Sequence, residues 1–94
     1  MTSQTSSAQK SLGLRIKELR AAKAITQEEL AERCGMFRTY LSRIESGLAN
    51  PTLTALYNLA DALEVEVVDL FVPAKASPAR VRATHPISRG RAGS

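Results

Sequence analysis

The stretch ITQEELAERCGMFRTYLSRIESG (residues 25–47) carries the punctuation of two helices and the turn between them. Thr26 stands just ahead of an apolar-periodic run, and Glu29 three positions later completes a capping box, in which each side chain satisfies the other residue's backbone N–H. Ile25 is placed to staple against Leu30 across that start. Gly35, which tolerates the left-handed backbone of a helix C-terminus, ends the run. The next helix follows Met36, reaches about Ser46 and stops at Gly47, so the connection between the two is very short. On a wheel of about 100° per residue, Phe37, Leu41 and Ile44 fall together on its inner side. Arg38, Thr39, Ser42, Arg43 and Ser46 fall on the opposite side.

Working outward, the segment before this pair places Leu12, Ile16 and Leu19 at i, i+4 and i+7, which predicts a first helix from about Ala8 to Lys23. Beyond it, a fourth helix begins near Thr52, just after Pro51, and is expected to bury Leu53, Leu56, Leu59, Ala60 and Leu63. A fifth, of a turn or two, covers Val67 to Phe71. Residues 8–72 thus read as one all-α domain of five short helices. Residues 1–7 read as a flexible polar segment, and residues 73–94, with Pro73, Pro78, Pro86, Gly90 and Gly93 among small and basic side chains, as a disordered tail.

Composition agrees with a single small domain. The chain has 94 residues, which leaves no room for a multi-domain enzyme. Aromatics are 4% and Trp is absent, so the core must be aliphatic. No apolar run approaches the roughly 20 residues that span a bilayer, and MTSQTSSAQK has no apolar signal region; a cytoplasmic protein is expected. Cys34 is the only cysteine and His85 the only histidine, which is too few for a four-ligand zinc site, so no metal and no cofactor are expected. Cys34 reads as a small buried hydrophobe.

The formal net charge of +4 is unevenly spread. Residues 51–72 carry only acids (Asp61, Glu64, Glu66, Asp69), and residues 73–94 only bases (Lys75, Arg80, Arg82, Arg89, Arg91). The basic end could add affinity for phosphates as an arm or be an inert solubilising tail.

Two short helices joined by a tight glycine-containing turn, inside a helical domain, have the layout of a helix-turn-helix. The outward face of the second has two arginines, short hydroxyl side chains and no acid. Such a face suits the major groove, where Arg reads guanine O6 and N7 and Thr can donate, accept or touch the thymine methyl. A solvated helix face would have the same composition, and spacing alone favours neither.

The residues that shift this balance are LGLRIKELRAAK, ITQEELAERCG, RTYLSRIESG, NPTLTALYNLADAL and VVDLF. In order and spacing, from Leu12 to Phe71, they resemble the XRE/Cro/C1 helix-turn-helix regulators, which include phage repressors and restriction-modification controller proteins. The resemblance implies a five-helix lambda-repressor-like fold and a transcriptional regulator that binds double-stranded DNA as a homodimer on a roughly palindromic operator. By position, Gln27 matches a residue that meets the DNA backbone or the half-site edge. Arg38, Thr39, Ser42 and Arg43 match the base-reading face, Tyr40 a flanking contact, and Asn50 the loop that rests on the backbone. Arg20 and Glu45 match a structural ion pair between helices one and three. Val65, Val68, Leu70 and Phe71 match the region of the two-fold contact, although equally apolar residues could be core.

Three departures from the family pattern are expected to bear on local stability. Phe37 stands where Ser, Thr or Asp usually caps helix three, a loss of about 1 kcal/mol unless the ring packs in compensation. Ala24 and Glu64 stand where Gly is usual after helices one and four. Ala49 lies where some controller proteins carry a base-reading Arg. An enzyme is not expected, because the folded segment has no histidine, no glycine-rich phosphate loop and no acid pair in a cleft. No small-molecule effector is indicated either. The rival reading is a protein-binding module such as an antitoxin, since one fold serves several functions.

Overall fold

The computed structural model describes residues 4–74, which form α1 (Gln4–Ala22), α2 (Gln27–Cys34), α3 (Arg38–Glu45), α4 (Leu53–Leu63) and a closing 3-10 helix (Val67–Phe71). The expectations for residues 1–3 and for the basic tail from residue 75 onward lie outside the described residues. There are four α-helices rather than five. The segment VVDLF is too short to recover the cost of an α-helical nucleus, and it closes in the tighter 3-10 geometry used for such pieces. At the other end, α1 starts at Gln4, ahead of Ala8, because no glycine or proline interrupts Gln4–Leu12.

All four α-helices stop by the same device. After each last turn one residue takes the left-handed conformation: Ala24 (φ 57°), Gly35 (φ 69°), Gly47 (φ 78°) and Glu64 (φ 60°). The N–H of the residue after it then donates back to a carbonyl of the helix. Ile25 N donates to Arg20 O at 3.3 Å, Met36 N to Ala31 O at 3.0 Å, Leu48 N to Arg43 O at 2.8 Å, and Val65 N to Ala60 O at 3.0 Å. These are Schellman terminations, and the residue making the long bond is apolar each time, as the motif favours. Ile25 and Met36 pack against the core and Val65 is inside it, while Leu48 is exposed. Ala24 and Glu64 hold the left-handed geometry without glycine's freedom, the unfavourable backbone expected at those two positions.

The starts of α2 and α4 follow the sequence closely. Thr26 Oγ1 accepts from Glu29 N at 3.0 Å and Glu29 Oε1 accepts from Thr26 N at 2.8 Å, a complete capping box. Thr52 Oγ1 accepts from Ala55 N at 3.1 Å. In α4 the buried stripe is Ala55, Leu59, Ala60 and Leu63, so Leu53, the first residue of the helix, is exposed rather than buried.

The core is aliphatic and gathers side chains from every element, including Ile16, Leu30, Leu41, Ile44, Leu59 and Leu70. Helix α1 lies across α3 and the 3-10 helix, while α2 contacts α3 and α4. Gly13 allows the α1–α3 crossing: a Cβ there would lie 2.5 Å from Glu45 O and 2.6 Å from Ile44 O. At the same crossing a Cβ on Gly47 would come within 2.9 Å of Lys10 Cγ. Val65 and Leu70, expected at a dimer contact, are 5% and 0% exposed and belong to this core. Leu70 is covered because the 3-10 helix folds back on α1 and α4, and Val65 because the Schellman turn that ends α4 directs it into the same core.

A cation is also buried. Arg15, only 1% exposed, donates from Nε to Asp69 O at 2.7 Å and from Nη1 to Glu18 Oε1 at 2.8 Å, tying α1 to the 3-10 helix. Lys23 and Glu64 join the far ends of α1 and α4 through a 2.8 Å contact on the surface.

Candidate nucleic-acid interface

The α2–α3 pair is held from behind by one carboxylate. Glu45, at the end of α3, has a side chain only 2% exposed and takes Arg20 Nε at 2.8 Å and Arg20 Nη2 at 3.0 Å in a bidentate pair. The same guanidinium donates from Nη1 to Ile25 O at 3.2 Å, so α1 grips both the entry to α2 and the exit from α3. Two parallel N–H···O bonds fix orientation as well as distance. The structure thus places Arg20 and Glu45 together as a link between the first and third helices.

Gln27 joins this group: its Nε2 donates to Glu45 Oε1 at 2.9 Å. The side chain expected at the half-site edge is therefore half-buried and oriented by the ion pair rather than waving free. On α3 the structure leaves Arg38, Thr39 and Arg43 exposed, with Ser42 half-buried between them, and Ser46, the residue after the helix, is exposed as well. Tyr40 is half-buried and packs against the core, which makes it a flank of the face rather than part of it. Asn50 is exposed in the loop before α4 and shares a shallow depression with Pro51, Leu56 and Phe71.

Arg43 is tethered, donating from Nη2 to Leu48 O at 3.0 Å. This uses one of five guanidinium donors and pre-orients the rest. Phe37 departs from expectation. The helical wheel put it inward with Leu41 and Ile44, but it is the N-cap of α3, in extended backbone (φ −70°, ψ 141°), and 83% exposed. A wheel holds only within the helix, and Phe37 lies one residue outside it. No side chain caps α3. Among the described residues there is no cluster of three or more His, Cys, Asp or Glu able to hold a metal, and no helix long and apolar enough to cross a membrane.

Two site features escaped the sequence reading. Gly13 had a signal, since a glycine inside a helical pattern costs about 1 kcal/mol relative to Ala and asks for a packing reason. Arg15 had none, because only the tertiary fold shows that this member of a basic series is buried.

Comparison with known proteins agrees with this geometry. The helix-turn-helix family HTH_3 matches residues 16–70, and the chain belongs to that family. It is a family of DNA-binding transcriptional regulators, not of enzymes. The chain is 44% identical over 69 residues to an uncharacterized HTH-type transcriptional regulator, y4dJ, of Sinorhizobium fredii, an overlap covering 73% of this chain and 90% of the relative. Its fold is similar to that of the restriction-modification controller protein C.AhdI from Aeromonas hydrophila, with a TM-score of 0.68 and 38% identity over 69% of this chain and 98% of the other. It is also similar to SinR, a Bacillus subtilis regulator of biofilm formation solved in complex with DNA. There the TM-score is 0.61 with 40% identity, covering 63% of this chain and 95% of that one.

Proposed function

We propose that this chain is a sequence-specific regulator that binds double-stranded DNA as a homodimer, with α3 in the major groove of a roughly palindromic operator. The observation that carries the reading is the outer face of α3, where exposed Arg38, Thr39 and Arg43 surround Ser42 with no acid among them. That face stands on a helix locked by Glu45 and Arg20, as a reader of base edges requires. Arg38, Thr39, Ser42 and Arg43 meet bases, while Gln27, Tyr40 and Asn50 contact the backbone and the edges of the half-site. The similarity to SinR, solved in complex with DNA, supports DNA as the ligand.

Dimerisation would use the apolar surface the fold leaves open. Of the four residues expected there, Val68 and Phe71 remain, each about half exposed, and Leu53 and Tyr57 add exposed apolar surface one turn apart on α4. Two recognition helices related by a two-fold axis would meet half-sites about 34 Å apart. Phe71→Glu should leave the helical circular dichroism of the folded chain unchanged, convert the dimer to monomer in sedimentation, and weaken operator binding at least tenfold. An unchanged dimer would remove this face from consideration.

The deciding experiment selects bound sequences from a random duplex library with the wild type, Arg38→Ala and Arg43→Ala. The expected result is a palindromic motif that relaxes at defined positions in each variant, each change costing about 1–3 kcal/mol. Salt-sensitive binding without any motif, retained by both variants, would overturn the proposal in favour of a protein ligand.

A further inference from the structure

We propose that Phe37 is a specificity residue of the DNA-reading face, and that its ring contacts the C5-methyl of a thymine at the outer end of each half-site. The inference rests on the placement of α3 in the major groove proposed above. Among the described residues Phe37 is the most exposed of the large apolar side chains, at 83%, and it occupies the N-cap position without providing a cap. The fold therefore gains little from either property: the ring is largely solvated and outside the core, and a hydroxyl or carboxylate at that position would have satisfied an N–H of the first turn.

The backbone around it is not loose. Phe37 O accepts from Tyr40 N at 3.0 Å and from Leu41 N at 3.1 Å, so the residue is fixed at the head of α3, immediately before exposed Arg38 and Thr39. Residues at the N-terminal end of a recognition helix are those that reach base edges. In the major groove the apolar feature on offer is the thymine methyl, for which phenylalanine is a fitting partner. Phe71, another exposed ring, lies on the closing 3-10 helix and lines the depression with Leu12, Leu56 and Asn50.

The test uses the full chain and the operator obtained by selection, with Phe37→Ser as the variant. Serine restores a capping side chain, so the variant should be at least as stable as the wild type, and any loss of binding cannot come from unfolding. The wild-type motif should contain one strongly preferred thymine per half-site that Phe37→Ser no longer prefers, with affinity for the full site lowered about tenfold. Replacing that thymine by uracil removes only the methyl. It should weaken the wild type several-fold and leave Phe37→Ser unaffected.

If Phe37→Ser selects the same motif as the wild type, or if no uracil substitution weakens the wild type, Phe37 does not read the methyl, while a palindromic motif would still uphold the operator-binding reading. Conversion of Phe37→Ser to a monomer would also overturn the proposal, by assigning the ring to a contact between subunits. Absence of any motif with the wild type overturns both readings together.

Discussion

At the scale of single residues, stability is held back at two positions and chemistry at a third. Ala24 and Glu64 occupy left-handed backbone that costs an L-residue about 1–2 kcal/mol. Ala24→Gly relieves this at the expense of a more flexible unfolded chain, so a net gain of about 1 kcal/mol is expected in urea unfolding. Glu64→Gly should gain less, since it also removes the contact with Lys23. Cys34 is buried, its Sγ 3.7 Å from Asn58 O, and burial pushes its thiol from 9.0 up to about 11. Alkylation of Cys34 near neutral pH should therefore be far slower than that of an exposed thiol and should speed up in denaturant. Because the folded state holds this proton more tightly, its contribution to stability is complete below the ordinary thiol value and is lost as the pH climbs toward 11. The buried thiol was readable from residue type, and the strained positions from the family resemblance, which has glycine where Ala24 and Glu64 stand. The burial of Arg15 was not, because it depends on where the 3-10 helix comes to rest, more than fifty residues along the chain.

At the scale of elements, boundaries written in local chemistry were legible, and faces set by tertiary contact were less so. Thr26 with Glu29 fixed the start of α2, and Gly35 and Gly47 marked two of the four stops. Phe37 was misplaced because helical periodicity was carried one residue past the helix. Val65 and Leu70 looked available for a partner because a short apolar run does not reveal which of its sides the chain itself will cover. The capping box gives a pH prediction. The backbone N–H of Thr26 holds the Glu29 carboxyl below its ordinary value, so its stabilisation is present above the usual carboxylate range and is lost as pH falls through the lowered value. Glu29→Gln should flatten the acid limb of a melting curve measured against pH. The α1–α3 crossing is less forgiving: Gly13→Ala pushes a methyl into the backbone carbonyls of Ile44 and Glu45, which cannot rotate away. A loss of about 1–3 kcal/mol is expected, with α3 displaced on its support.

At the scale of the whole molecule, one carboxylate joins the stability of the fold to the presentation of its reading face. Removing either partner of the Arg20–Glu45 pair should cost about 3–5 kcal/mol, a large part of what a small domain has. Circular dichroism must accompany any binding measurement on Arg20→Ala, because loss of DNA affinity there would report unfolding. Gln27→Ala, which strips one hydrogen bond from Glu45 but leaves the ion pair, should unfold at nearly the wild-type midpoint and lose affinity alone. The close seat of α1 on the end of α3 also divides the molecule by how readily it opens. The amide of Gly47, bonded to Ile44 O beneath that crossing, should exchange with deuterium only when the whole domain unfolds. The amides of Arg38 and Thr39, which precede the first hydrogen bonds of α3 and meet no capping side chain, should exchange far faster without any opening of the helix. A ligand seated on α3 would then slow exchange mainly at its head, where amides already in place face only solvent until the ligand covers them.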